Sequence, residues 1–175
     1  MLTSRAKYAV RASMVLAERR GANGWTSAGA LATEAEVPRK FLEAILTQLR
    51  DHGLVESRRG PAGGHRLAAE PAQVSVADVI RCIDGPLAMT PCASQTQFSA
   101  CSDCASVEKC RIRHLMGRAR DAVAAVLEAC SLEALCAEGR DGAVAMVLSA
   151  PAGPEARTSF LKKSSKKLLD SSASA

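Results

Sequence analysis

The stretch from Arg39 to Leu67 constrains this chain more than any other. Phe41, Leu42, Ile45, Leu46 and Leu49 recur at helical spacing and predict a helix with a buried stripe, leaving Arg39, Lys40, Glu43 and Thr47 on its other faces. Leu54 to Arg59 then reads as a strand, Gly60-Pro61-Ala62-Gly63-Gly64 as a turn, and His65-Arg66-Leu67 as the returning strand. Upstream, Thr26 or Ser27 caps a short helix that runs through Ala35, and Glu36-Val37-Pro38 breaks it before Arg39. A short helix, a tight turn, an amphipathic helix with basic residues at its start and a glycine-rich hairpin together predict a winged helix-turn-helix. The hairpin glycines permit positive φ and close backbone approach, and Arg58 and Arg59 stand where guanidinium groups reach phosphates or a minor groove. A solvated hairpin with surface arginines is the plain alternative, but its place directly after the third helix favours a wing. No Lys-Ser or Lys-Thr follows the glycines, so the turn is not a nucleotide-binding loop.

The flanks extend this pattern. Tyr8, Ala12, Val15 and Leu16 give a first helix between Thr3 and Arg20, ended by Gly21-Ala22-Asn23-Gly24. Val76 to Ile83 form a short apolar helix that Asp84-Gly85-Pro86 stops. From Arg111 onward, Ile112, Leu115, Ala119, Ala122, Val126 and Ala129 alternate steps of three and four, and Met116, Val123 and Leu127 widen the stripe. A face this wide requires burial, either within one chain or against a symmetry mate. Aromatic content is 3% while alanine and leucine abound, which suits closely spaced helices. The expected fold is mainly α: a winged helix-turn-helix with a small β-hairpin wing plus a long C-terminal dimerisation helix. The expected segments are 1–83 for DNA binding, 84–110 for a cysteine-rich loop, 111–138 for the dimerisation helix and 139–175 for a disordered basic tail.

Charge supports a polyanionic partner. The net charge is +5, and Lys plus Arg against Asp plus Glu stand at 11 to 7 in residues 1–70, 6 to 8 in 71–139 and 6 to 3 in 140–175. The excess sits at the two ends, which suits double-stranded DNA at the first module, although solubility alone also produces basic domains. Arg5, Lys7, Arg11 and Glu18 interrupt the N-terminal apolar residues, so no secretory core is present there, and no run approaches a membrane span. A cytoplasmic location is expected. Seven cysteines in a reducing compartment serve metal binding or redox sensing more often than disulfides.

Cys92, Cys101, Cys104 and Cys110 fall within the one loop, whereas Cys82, Cys130 and Cys136 fall in helical patterns as small buried residues. Four thiolates complete an iron-sulfur cluster or a tetrahedral zinc site, and their spacing does not choose between the two. An unliganded thiol switch stands behind both. His52 and His65 read as surface residues; His114, one turn after Cys110, is a ligand, a hydrogen-bond donor to one, or a helix-surface residue, the last being favoured. A small iron-sulfur redox protein is the reading from another class. Against any enzyme, the sequence has no nucleophile with a nearby base and no substrate-pocket signature.

Residues 49–64, LRDHGLVESRRGPAGG, with the opening Ala6-Lys7-Tyr8-Ala9-Val10-Arg11, the helix end from Ile80 to Gly85 and the cysteine loop leading into a long helix, resemble the Rrf2 (Rrf-two) family of bacterial regulators from about Met1 to Glu138. The resemblance implies homodimers that place the third helix of each subunit in the major groove of a pseudo-palindromic operator, with the wings alongside. It gives Glu43 the role of accepting from cytosine amino groups and Arg59 that of reaching DNA from the wing, while Arg39, Lys40 and Arg58 hold phosphates. It also implies an iron-sulfur cluster held by three cysteines and a non-cysteine ligand, with Cys92, Cys104 and Cys110 as the counterparts; two-iron and four-iron types both stay open, and zinc stays the alternative that the spacing leaves. This chain departs from that pattern. Cys101 is extra, the first cysteine interval is longer, Tyr8 stands where some relatives carry an acidic ligand, and Arg113 stands where others have histidine.

Overall fold

Small side chains on the first helix decide how the other helices gather. The computed structural model describes residues 2–20, 24–104 and 106–141, with side chains of 139–141 excepted. Helix α1 (Ser4–Glu18) starts at Thr3, whose hydroxyl accepts from the Ala6 amide at 3.1 Å. Its buried line of Ala6, Ala9, Ala12, Ser13 and Leu16 carries little bulk. Helices α4 (Val76–Asp84) and α6 (Leu132–Asp141) both pack on it. Asp84 closes the α1–α4 corner by accepting from the Thr3 amide at 2.9 Å.

Helix α2 (Ala28–Glu34) is capped by Ser27, and a turn through Glu36 at φ +51° leads to α3 (Arg39–Asp51). Leu42, Ile45, Leu46 and Leu49 are buried on α3 as expected. Phe41 is not: it is 49% exposed, on the flank of that stripe, with its ring 6.2 Å from Tyr8. Strands β1 (Val55–Arg58) and β2 (Gly64–Leu67) pair antiparallel, with Val55 opposite Leu67 and Arg58 opposite Gly64. Only the base of this hairpin, Val55 and Leu67, enters the core. The six helices and the two-stranded hairpin of the described residues give the winged-helix architecture that the sequence predicts.

The helix expected over 111–138 is divided. Helix α5 (Arg111–Ala129) ends where Cys130 becomes extended, and Ser131 bridges to Ser75. Val76 donates to the Cys130 carbonyl and Leu132 to the Val74 carbonyl, each at 2.9 Å. Helix α6 then returns to the winged helix, and Leu132 is fully buried in the main core. Residues 139–141, assigned to the tail by sequence, continue α6, and the rest of that tail lies outside the described residues. Helix α5 has no buried residue: Ile112, Leu115 and Val126 are 65%, 59% and 50% exposed on the stripe the sequence singled out. No helix of the described residues is long and apolar enough to cross a membrane.

Candidate nucleic-acid interface and metal centre

The buried stripe of α3 fixes which of its residues face outward. Arg39, Lys40, Glu43 and Thr47 are all exposed. Arg39 Nε donates to Glu43 Oε1 at 3.1 Å across one helical turn, and Thr47 Oγ1 donates to the Glu43 carbonyl at 2.9 Å. Such an exposed pair adds a few tenths of a kcal/mol to the helix. The pair sets the Glu43 carboxylate on the outer face of α3. Lys40 has no hydrogen bond or ion pair among the described residues, so its charge is available to an anion.

The hairpin is tied to the start of α2 rather than free. Thr26 and His65 exchange backbone hydrogen bonds of 2.9 and 2.8 Å. Gly64 makes this approach possible: its φ is +152°, and a Cβ there would lie 2.4 Å from the Thr26 oxygen. Arg59 is exposed near the hairpin tip and has no partner among the described residues. Arg58 differs, because it donates to the Ala62 carbonyl and lies over the Trp25 ring, 4.7 Å from its centroid. Arg66 lies over the same ring at 4.6 Å and pairs with Glu56 at 2.7 Å. Trp25 was missed by sequence reasoning. Its signal was its rarity, as the only tryptophan in a chain poor in aromatics. The His65 pKa is lowered by burial first and then by the Arg50 charge.

The cysteine loop sets its thiols within electrostatic reach of one another. Cys92 interacts with Cys101, Cys101 with Cys104, and Cys104 with Cys110. Cys101, the extra cysteine by resemblance, therefore stands inside the series. Thr90 Oγ1 lies 3.5 Å from the Cys92 sulfur and lowers its pKa, with Cys101 and Arg113 acting in the same direction against burial. The Cys101 thiol is pushed up to about 11, chiefly by its hydrogen bond with Cys92, then by burial and the neighbouring thiols. Burial first, then Cys110, raises Cys104. Cys110 occupies the N-cap position of α5, with no side-chain capping hydrogen bond. One carboxylate oxygen of Asp103 and the sulfurs of Cys101 and Cys104 lie within 4.8 Å of one another, which adds an acidic donor that sequence reasoning did not single out.

Two guanidinium groups fasten this loop to α5. Arg113 Nε donates to the Cys92 carbonyl at 3.0 Å, and Arg120 donates to the Ala93 carbonyl. Arg113 thus clips the backbone of a cysteine. His114 is exposed on α5. Of the remaining thiols, Cys82 and Cys136 are buried as expected, while Cys130 is half-buried at the end of α5. Soft thiolate donors of this number suit an iron-sulfur cluster or zinc, so the donor set fits either group.

Residues 2–138 match the family model Rrf2, described as an iron-dependent transcriptional regulator. Over 145 residues the chain is 36% identical to an rrf2-like HTH-type transcriptional regulator of Rhodobacter capsulatus, covering 82% of this chain and 97% of that protein. Among solved structures, CymR (YrzC), the global cysteine regulator of B. subtilis, superposes with a TM-score of 0.62 at 30% identity over 78% of this chain and 96% of its own. T. potens IscR gives a TM-score of 0.61 at 25% identity, covering 83% and 93%.

Proposed function

This chain belongs to the Rrf2 family of DNA-binding transcriptional regulators, and from that premise we propose that it is a homodimeric, cytoplasmic repressor whose operator affinity follows the state of a cysteine-ligated iron-sulfur centre. The exposed apolar stripe of α5 supports the dimer, since Ile112, Leu115 and Val126 have no cover among the described residues. A two-fold axis along α5 presents two copies of α3 to successive major-groove segments of a pseudo-palindromic site. Glu43, held by Arg39, accepts from cytosine amino groups, and Arg59 reads the adjacent groove. Arg39, Lys40 and Arg58 take phosphates and set register without reading sequence.

The gathering of Cys92, Cys101, Cys104 and Cys110 in one loop, with the Cys101 and Cys104 sulfurs within 4.8 Å of each other, carries the iron-sulfur reading. A cluster of two-iron or four-iron type supplies redox chemistry at iron when bound. The chain's own part is mechanical. Cys92 stands on the Pro91–Ala93 turn and Cys110 at the N-cap of α5, so fixing both sulfurs fixes how the segment between them lies on α5. Helix α5 in turn joins the start of α4 through Cys130 and Ser131. A regulator needs a difference of about 1.4 kcal/mol between two loop states for a tenfold change in DNA affinity.

Anaerobic purification followed by iron, acid-labile sulfide and zinc analysis tests this reading. Iron and sulfide in comparable amounts are expected. Zinc alone would support the second reading, a structural zinc site, which the compact Cys101, Asp103 and Cys104 group favours. Thiols without metal, together with oxidant-dependent DNA binding, would replace both with a thiol switch.

A further inference from the structure

We propose that Trp25 is a positioning residue for DNA contact by the wing, holding Arg58 flat so that its N–H edge meets the phosphate backbone. The inference rests on the reading of the wing as a DNA-contacting element and names how this chain prepares that element.

Arg58 and Arg66 stand on the same face of the hairpin, since Arg58 pairs with Gly64 and Glu56 pairs with Arg66. Both guanidinium carbons lie over the Trp25 ring, at 4.7 and 4.6 Å from its centroid. The two cations differ in what else they meet. Arg66 is neutralised by Glu56, with Nε and Nη2 at 2.8 and 2.7 Å from Oε2. Arg58 has no carboxylate partner among the described residues. Its Nη2 donates to the Ala62 carbonyl, and its Nε and Nη1 have no acceptor there. Stacking on an aromatic ring occupies the face of a guanidinium and leaves its in-plane donors available for an anion. Arg58 is therefore an uncompensated cation whose free edge is aimed by an indole.

Trp25 can aim it because its own position is set by backbone. Thr26, the next residue, is fully paired with His65 on β2, so the indole and the hairpin share one frame. Ser27, one residue further on, caps α2. Trp25 consequently joins the wing to the helix-turn-helix at the place where both approach DNA. An exposed arginine without such a support loses rotamer freedom when it binds, and that cost is already met here in the free protein.

The test is a double-mutant cycle on operator DNA and on random duplex, using the full chain with Trp25→Ala, Trp25→Phe, Arg58→Ala and the Trp25→Ala/Arg58→Ala pair. Trp25→Ala is expected to weaken both DNAs by about three- to tenfold, the scale of ordering one long side chain. Its salt slope is expected to stay that of the parent, because the phosphate contact persists. Arg58→Ala lowers the slope by about one unit. Trp25→Phe restores most of the affinity, and the double variant binds no more weakly than Arg58→Ala. Fluorescence of this single tryptophan should change on DNA binding in the parent and not in Arg58→Ala. Parental affinity in Trp25→Ala, or an equal further loss when Trp25→Ala is added to Arg58→Ala, overturns the inference while leaving the wing in contact with DNA. Parental affinity and slope in both Arg58→Ala and Arg59→Ala would instead overturn the wing reading itself.

Discussion

Replacing Gly64 with alanine tests whether the wing is held as a fixed part of the DNA-binding face. The added Cβ would lie 2.4 Å from the Thr26 oxygen and 2.7 Å from its carbonyl carbon, both backbone atoms of the bridge. Relief requires separating Thr26 from His65, which removes hydrogen bonds of 2.9 and 2.8 Å. Each is worth about 1 kcal/mol net. Alanine at φ +152° adds strain of about 1–3 kcal/mol. The total, about 3–5 kcal/mol, is a large share of the stability of an ordinary domain. Gly60→Ala separates the two causes, because φ is +109° there and no atom lies within 4 Å of the new Cβ, so only strain of about 1–3 kcal/mol applies. Urea denaturation followed by far-ultraviolet circular dichroism gives the stability of each variant, and fluorescence anisotropy with labelled operator gives affinity. If the hairpin opens locally instead of destabilising the whole chain, Gly64→Ala melts nearly as the parent does but binds operator at least tenfold more weakly. A Gly64→Ala variant within about 0.5 kcal/mol of the parent and within twofold in affinity would refute the bridge as a constraint.

Arg59→Ala should weaken operator binding more than binding to random duplex, whereas Lys40→Ala should weaken both alike and reduce the salt slope by about one unit; competition titrations at several salt concentrations distinguish the two roles. Cys104→Ala and Cys110→Ala should lose iron and sulfide while still forming dimers by sedimentation, and Cys130→Ala should retain both; metal retained in the first two would remove them from the ligand set. His65 has a lowered folded-state pKa, so between that value and the unfolded 6.5 the unfolded chain binds more protons and stability rises with pH. Thermal midpoints should therefore fall as pH drops below 6.5, level off below the folded pKa, and lose this component in His65→Gln.

Local signals made α3 and the hairpin legible: the apolar period, Pro38, and a glycine-rich turn between two strand-like runs are all contained within a few residues. Phe41 was misplaced because position 41 adjoins the Leu42, Ile45 and Leu49 stripe on a helical wheel, and only the packing of α1 decides where that stripe ends. The division between α5 and α6 was hidden for a similar reason. Leu127, Leu132 and Leu135 keep apolar residues coming at near-helical intervals, while the break is imposed by pairing of Ser131 with Ser75, far away in sequence. The four loop cysteines were found by composition and proximity along the chain. The middle place of Cys101 and the nearness of Asp103 depend on how the loop folds, for which no periodic pattern exists. Trp25 was illegible as a site residue because its cations come from the hairpin, and neither strand announces which residue of α2's approach it covers.

Leu132 lies fully buried in the same cluster as Leu16, Leu42 and Val79, and Cys136 is buried on α6 with its sulfur 3.7 Å from the Met14 carbonyl. Helix α6 is thus a plug for the winged helix, delivered from the far end of α5. A fragment cut after Asp84 would carry every proposed DNA-contact residue and still be left with a leucine-sized hole and a bare face on α1. Cutting and grafting of this protein should follow the plug and not the order of the chain: an isolated reading head needs residues 131–141 reattached through a short linker to Gly85, and a chimera that exchanges sensing loops should keep α6 with the winged helix it fills.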